Sequence, residues 1–555
     1  MGNLSTFGTF TMARLGIYVA QQAITVTGNN ISNINTKGYS RQELDQTNLT
    51  FGGSDKYQSR FDTRVSAGVI ANGVAQLRDK YLDIHYRNEQ TSVGALDAKM
   101  GGLNRLASIL DEVGMGEDEA GVLEARFNEL IEHMELMTTQ GAGKDDIDTL
   151  VRSSANALCK TFNDYAQRLE TEAKNEANKF DQNVETVNTI LERIRDLNSD
   201  IRKTQIYGGN ALTQQDERNV LIDQLSEYVG INVTYDMEVL GDGLEVERLK
   251  ITTNSTPEHD LIYGIYGSQF SVRQIDTVDE EGNPITVDSP NYELSISQLK
   301  TSRDLVLPGS TDYEFSDTEL TGGLQAQREI LTEAGEYSTA HLLSPTDKHY
   351  DMDAETKRGF PYYQKALDTL ASTFAKLMNE ANSGGNPASD DASLRGGVLF
   401  SIGNNGDIAT GITAKNITVS QSWSEGKIRV LRSTKENPAS RDQENLQHFV
   451  TLLTSEQRFS ISDGADPYFV GTFQEMMTNG ISATLADDMM VTNTLLGNHM
   501  MSSDELYVGR DSVMGVDLND EAMNMMQFQK AYSAACRLMT TFDSMVDKLV
   551  NGTAI

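Results

Sequence analysis

The stretch FTMARLGIYVAQQAITVTGNNISNI, residues 10–34, decides the architecture. Phe10, Ala13, Ile17, Ala20, Ile24, Thr27, Ile31 and Ile34 step by three and four, the spacing that places side chains on the a/d seam of a coiled coil. A matching set lies near the other end: Met525, Phe528, Tyr532, Ala535, Met539, Phe542, Val546 and Leu549. Helices over 4–35 and 518–550 would each run about 50 Å at 1.5 Å per residue. An isolated helix draws most of its stability from packing such a stripe, so the two ends are expected to pair with each other or with copies of themselves. Gly38 fits a left-handed stop, with Tyr39 folding back onto Ile34. Asp517 fits an N-cap for the second helix, with Asp520 and Glu521 near the positive end of its dipole.

Working inward, helical periodicity covers 78–110, 119–138, 147–205, 211–229 and 361–382, and part of 472–512. The segment 147–205 repeats Leu158, Phe162, Tyr165, Leu169, Phe180, Val184, Val187, Ile194, Leu197 and Ile201 on one face. At about 90 Å it suits a rod better than a compact domain. Leu244, Val246, Leu249 and Ile251 nearly alternate, and short strand-like runs continue to 320 and resume over 398–432 between Gly, Pro and Asp clusters. The fold class is therefore α+β, elongated and multidomain. An inner terminal coiled-coil domain takes 1–38 plus 515–555, and a helical rod domain takes 39–230, 320–395 and 440–514. A β-rich outer insertion takes 231–319 plus 396–439.

Composition narrows the function. The 46 basic and 81 acidic residues leave a net charge of −35, which provides no electrostatic footprint for nucleic acid or an anionic membrane. Nine prolines in 555 residues is about a third of the usual ~5% share and favours long helices. Cys159 and Cys536 are the two cysteines, too few for a disulfide framework or a multi-cysteine zinc site, and each reads as a small packed residue. No stretch approaches the ~18 apolar residues of a membrane span. Arg14, Gln21 and Gln22 interrupt any apolar core of a secretory signal.

No catalytic constellation emerges. Glu132-His133 lacks the second histidine of a zinc helix and reads as a solvated helix face. Gly141-Ala142-Gly143-Lys144 has its first glycine misplaced, and Asp145 stands where a phosphate loop needs Ser or Thr, so a loop between helices is the reading. Gly38-Tyr39-Ser40-Arg41-Gln42 lacks the closing glycine of a nucleophile elbow. Met514, Met523, Met525, Met526, Met539 and Met545 crowd the last 42 residues, first as flexible core filler and, compatibly, as an adaptable surface for successive partners. Asn29, Asn30, Asn33 and Asn35 with Gly28 are poor helix formers gathered at one helix end, either a frayed terminus or amides that bond a neighbouring subunit.

The run Gly28-Asn29-Asn30-Ile31-Ser32-Asn33-Ile34-Asn35-Thr36-Lys37-Gly38-Tyr39 resembles the N-terminal motif of the rod, hook and hook-associated proteins of the bacterial flagellum. Its continuation Ser40-Arg41-Gln42 is similar to the hook-associated members that join hook to filament; rod and hook proteins run Gly-Phe there. Gly515-Val516-Asp517-Leu518-Asn519-Asp520-Glu521-Ala522, with Phe528-Gln529-Lys530-Ala531-Tyr532, resembles the family's C-terminal signature, and 212–229 and 367–400 resemble interior segments. The resemblance implies a structural, extracellular axial protein of the flagellum, with no catalytic, cofactor or metal residues. Such a protein is exported unfolded through the flagellar type III channel without a cleaved signal, attended by a cytoplasmic chaperone (FlgN in the family). It self-assembles helically on the hook protein and holds a second junction protein (FlgL). Three rival readings remain. The chain could be a hook or distal-rod protein, against which Ser40-Arg41-Gln42 and the 147–205 helix weigh. It could be an axial scaffold displaying an enzymatic insert, for which 231–320 and 398–432 offer only His259. It could be an intracellular coiled-coil scaffold, which export would exclude.

Overall fold

The computed structural model describes residues 6–49, 68–110, 121–140, 144–241, 244–274, 292–403, 406–435, 439, 442–460 and 466–552. Residues 4–5 and 119–120 of two expected helices, and the Gly141–Gly143 loop, lie outside the described residues.

Helix α1 (Thr6–Ser32) leads into a hairpin of β1 (Gln42–Asn48) and β2 (Val69–Gln76), bulged between Asp45 and Gln46. Four helices follow: α2 (Lys80–Leu110), α3 (Val122–Gln140), α4 (Asp145–Ile206) and α5 (Leu212–Tyr228). Strands β3 (Ile231–Leu240), β4 (Leu244–Thr253), β5 (Asp260–Tyr263) and β6 (Tyr266–Gly267) form one antiparallel sheet in that order. A second sheet orders β7 (Phe270–Gln274), β8 (Tyr292–Ile296) and β9 (Tyr313–Glu314). After α6 (Gly323–Thr332) and α7 (Phe360–Ala381) come a short ladder of β10 (Phe400–Ile402) and β11 (Ile417–Val419), then α8 (Gln421–Ser424) and α9 (Glu444–Thr454). A last ladder, β12 (Gln457–Ser460) with β13 (Pro467–Gly471), precedes α10 (Phe473–Glu475). A π-helical stretch, Met476–Ser482, continues α10 into α11 (Ala483–Met514), and α12 (Leu518–Asn551) closes the chain.

Helix α4 organises the molecule. Its 62 residues span about 93 Å at 1.5 Å each, and Asp145, Asp146 and Asp148 in the first turn complement its dipole. The N-terminal half buries Leu158, Phe162, Tyr165 and Leu169 among α3, α7 and α9. Its C-terminal half buries Phe180, Val184, Val187 and Ile194 against α5 and the two sheets. Where the halves meet, Glu176 is fully buried and is held by an ion pair with Arg105 and by the Gln327 amide at 3.4 Å.

Three expectations need correcting. The strand-rich stretches 231–319 and 396–439 do not share a core. Leu249, Ile251, Leu261, Phe270 and Leu294 pack on the C-terminal half of α4, whereas Phe400, Ile417, Trp423 and Val430 pack on the N-terminal half. Short β-like runs carry no label of the layer they join, so composition alone grouped them. Second, Gln42–Asn48 and Val69–Gln76 contribute a hairpin, not helix, to the region read as rod. Third, α1 stops at Ser32 and leaves Ile34 in a turn. The asparagines end it: Asn33 Nδ2 donates to the Asn29 carbonyl at 2.9 Å, and its N–H reaches Asn29 and Asn30 oxygens at 3.1 and 3.2 Å, a local competition with helix continuation. Gly38 is left-handed as expected, at φ +79°, yet it closes this turn and not the helix, and Tyr39 folds onto Asn30 instead of Ile34.

Candidate functional site

Helices α1 and α12 lie side by side and antiparallel. A Cβ placed on Gly16 falls 3.7 Å from the Ala535 Cβ, and one on Gly28 falls 4.0 Å from Met525 Cε. Along α12 the half-buried positions include Met525, Phe528, Ala535, Met539 and Phe542, while Tyr532, Val546 and Leu549 are exposed. On α1 the buried set is Ala13, Val19, Ala20, Ala23, Val26, Thr27 and Asn30. The stripe read from sequence shares Ala13, Ala20 and Thr27 with it. Ile17, Ile24 and Ile31 are half-buried, and Phe10 and Ile34 are exposed. At 100° per residue the buried face is turned by roughly 70° from the expected seam. The cause is a second neighbour: α1 packs on the β1–β2 hairpin as well as on α12, and a Cβ on Gly68 would touch Met12 and Leu15. Outside this contact α12 keeps an open groove lined by Met526, Gln529, Lys530, Arg537 and Leu538, with Met523 and Met545 also exposed.

The motif residues build the joint between this pair and the rod. Asn30, 1% exposed, donates from Nδ2 to the Gln42 carbonyl at 2.9 Å. Its Oδ1 accepts the Gln42 N–H at 3.0 Å and the Tyr39 hydroxyl at 2.9 Å. One amide thus imitates a strand neighbour for the incoming chain, and Asn30 is spent inside the subunit instead of on a neighbour. Thr36 Oγ1 donates to Asn33 Oδ1 at 3.2 Å. Arg41 donates its N–H to the Met514 carbonyl at 2.8 Å, and its Nε pairs at 2.9 Å with Glu521, 2% exposed. The Gly515 N–H donates to the Asp511 carbonyl at 2.7 Å, and Asp517 caps α12 by accepting the Asn519 N–H at 2.7 Å. The amide of Ser40 donates to Asp216 Oδ2 at 3.2 Å, and Gln76 Nε2 donates to the Leu212 carbonyl at 3.0 Å, so two segments flanking the hairpin dock on α5.

Behind this layer lies a charge network that local sequence patterns do not announce. Arg78 holds Asp83 at 2.6 Å, Arg87 holds Asp223 at 2.8 Å, and Arg510 holds Asp223 at 2.7 Å while lying 4.1 Å over the Tyr86 ring. Arg510 and Asp83 are 427 positions apart, which is why no motif search finds them. The resemblance of 212–229, which includes Asp223, is the one available signal.

Burial pushes the Tyr39 hydroxyl up to about 12, aided by the charges of Asp216 and Glu521, so it stays a donor to Asn30. Burial likewise pushes Asp216 up to about 6, against the opposing pull of Ser40, Arg78 and Gln76. The folded joint therefore holds this proton more tightly than the unfolded chain does. Its contribution is fully present below about pH 4, the unfolded value, and is lost as pH rises through about 6. Asp216→Asn does not titrate. The stability of the natural chain relative to that variant should fall by about 2 kcal/mol between pH 4.5 and 8, read from paired denaturant melts. A difference that is flat across this range would remove Asp216 as the titrating group.

The chain is similar to known proteins over most of its length. The family model for the flagellar hook-associated protein FlgK helical domain matches residues 112–400, and that for the flagellar basal body rod FlgEFG protein C-terminal matches 509–552. The chain is similar to flagellar hook-associated protein 1 of Bacillus subtilis (strain 168), 27% identical over 564 residues with 99% of each chain covered. It is also similar to flagellar hook-associated protein 1 of Escherichia coli (strain K12), 21% identical across 97% of this chain and 98% of the other. The solved flagellar hook junction protein FlgK from Burkholderia pseudomallei superposes with a TM-score of 0.52 at 12% identity, covering 78% of this chain and 100% of its own, a likeness of fold.

Proposed function

Since the chain belongs to the family of flagellar hook-associated protein FlgK, a structural axial component of the flagellum, we propose that its terminal helix pair is the surface on which copies assemble between hook and filament. The observation that carries this reading is the unfinished burial of that pair. α1 and α12 cover one another along one side only, leaving Met523, Met526, Leu538 and Met545 to solvent. A helix pair with apolar side chains on its free face gains stability from further copies, which is what an axial assembly supplies.

In this reading 1–38 and 515–555 form the inner layer, the helices around α4 with 396–439 form the rod, and the sheets of 231–315 lie outside. The hook protein meets the assembly on one side and the second junction protein, FlgL, on the other. The chain is exported unfolded, without a cleaved signal, with the chaperone FlgN on the methionine-rich face of α12. The role is mechanical, not enzymatic. Among the described residues no His, Cys, Asp and Glu group is arranged to hold a metal ion, and no helix is long and apolar enough to cross a membrane.

Gold-labelled antibody against the 231–315 sheets, applied to isolated flagella, should decorate a single narrow band where hook meets filament. Label spread along the hook or along the filament would contradict a junction role.

A further inference from the structure

A cleft of about 280 Å³ opens where the β3–β6 sheet meets the C-terminal part of α4, and none of its residues belongs to the terminal pair or the joint. One wall is aromatic. Tyr263 and Tyr266 pair across the two-residue turn Gly264-Ile265, so their rings stand side by side on one face of the sheet. Gly264 is left-handed at φ +58°, which lets β5 reverse into β6 this tightly. The remaining walls are polar: Asn198 and Arg202 from α4, Glu238 from β3, and Glu247 and Arg248 from β4.

Each polar group is already held in position by the protein. Asn198, 6% exposed, donates from Nδ2 to the Gly264 carbonyl at 2.8 Å and accepts from Arg218 at 3.0 Å. Arg218, buried behind the cleft, also pairs with Glu247. Arg202 donates to Glu238 at 3.2 Å, and Arg248 lies 4.8 Å over the Tyr263 ring with Asp236 3.7 Å away. The Arg202 and Arg248 pairs keep solvent on both partners, and ion pairs of that kind contribute little to stability. Holding the sheet together therefore does not account for the cluster. The buried Nε–H of all three arginines has no hydrogen-bond partner, so the protein saturates none of these guanidiniums. Side chains fixed beforehand lower the ordering cost of binding.

We propose that this cleft binds an uncharged sugar residue of a glycan. Charge decides against ions of either sign. Arg202, Arg218 and Arg248 are matched by Glu238, Glu247 and Asp236, so the cleft has no excess of its own. An anion would approach against a net charge of −35 and meet three carboxylates, and a cation would meet three guanidiniums. Hydrogen-bond chemistry then selects among neutral ligands. A guanidinium only donates and a carboxylate only accepts, and both kinds line this cleft. A hydroxyl does both, and a sugar ring carries several in fixed directions, so it satisfies a mixed wall that an apolar ligand would leave unpaired. The two tyrosine rings offer a flat apolar face to the C–H side of the same ring, with their own hydroxyls at its edge. The volume falls just below the roughly 300–1,000 Å³ of ligand pockets, room for one sugar ring and not for a long chain.

The test is saturation-transfer NMR on the purified full chain, with the methyl glycosides of glucose, galactose, mannose and N-acetylglucosamine as probes. Methyl phosphate, N-acetylneuraminic acid and spermine serve as charged controls. At least one neutral glycoside should receive transfer at its ring protons, and the charged probes none. Tyr266→Ala removes half of the aromatic wall, and Arg202→Met removes a donor while keeping a side chain of similar length. Each should weaken binding at least tenfold with the melting of the chain unchanged. If Tyr266→Ala disturbs the melt, Arg202→Met, whose side chain is partly in solvent, decides alone. No transfer to any neutral glycoside, transfer to charged probes only, or undiminished binding in either folded variant overturns the inference. The assembly role stands in every case, because the chain is measured unassembled.

Discussion

Ala535→Asp should give a soluble, folded, exportable chain that fails to stay on the hook, with filament subunits lost to the medium. Ala535 is half-buried, opposite Gly16, where a Cβ would sit only 3.7 Å from its own. In the lone chain a carboxylate at this margin can still turn to water, so the cost is modest. Once further copies cover the pair, the same charge is enclosed without a partner. An uncompensated buried charge costs about 3–5 kcal/mol, or forces protonation. Repeated in every subunit, that loss exceeds what a contact between copies can absorb. The cores around α4 lie far from the site, so their melting should barely move. Filament attachment and monomer melting should be scored separately, with Lys174→Asp on the exposed surface of α4 as the comparison. Intact filaments from Ala535→Asp would show that this margin is not covered on assembly.

Gly38→Ala should undock the terminal pair from the rod without unfolding either. Two costs coincide at this glycine. Its φ of +79° lies in the left-handed region, where an L side chain costs roughly 1–2 kcal/mol. A Cβ there would also sit 2.1 Å from Val220 Cγ2 on α5, and overpacking of this kind typically costs about 1–3 kcal/mol more. The segment must lift off α5, and the Ser40–Asp216 bond goes with it. Hydrogen exchange at the Ser40 and Gln42 amides should accelerate by two orders of magnitude or more, while amides of α4 stay protected. Adding Val220→Ala removes the overlap but not the strain, so it should restore about half of the lost protection. Unchanged exchange at Ser40 in the single variant would mean that Gly38 is not what holds the turn down.

How much of this was legible beforehand follows from the range of each interaction. The 62-residue α4 was plain, because a 3.6-residue repeat is written locally and needs no partner to be recognised. That each end needs a partner helix, the other end or a copy of itself, could be anticipated, since each had an apolar stripe with nothing near in sequence to cover it. The orientation of α1 could not. Its buried face is set jointly by α12 and by a hairpin whose strands do not alternate: Gln42–Asn48 has Leu44 alone as a large apolar residue, and Val69–Gln76 runs Val69, Ile70 and Ala71 together. The motif Asn30…Gln42 was visible as a run of poor helix formers, but its task, an amide that stands in for a strand, exists only once the chain turns back. The Arg78, Arg87 and Arg510 network was beyond reach for the same reason. Apart from the neighbouring Arg78 and Asp83, its pairs join α2, α5 and α11 across more than a hundred residues of chain, and single arginines on helices look alike.

The joint has a mechanical consequence. The polypeptide links the rod to the terminal pair and its hairpin at three places, the 33–41 turn, residues 77–79 after β2, and Gly515–Asp517, and these are tied side by side by the Leu77 N–H to the Arg41 carbonyl, by the Arg41 N–H to the Met514 carbonyl and by Arg41 to Glu521. One passage alone would be a swivel, free to spin. Three fastened together are not: rotation of the pair about the long direction of the rod must stretch one crossing against the others. Such a coupling resists twist between the two parts of each subunit.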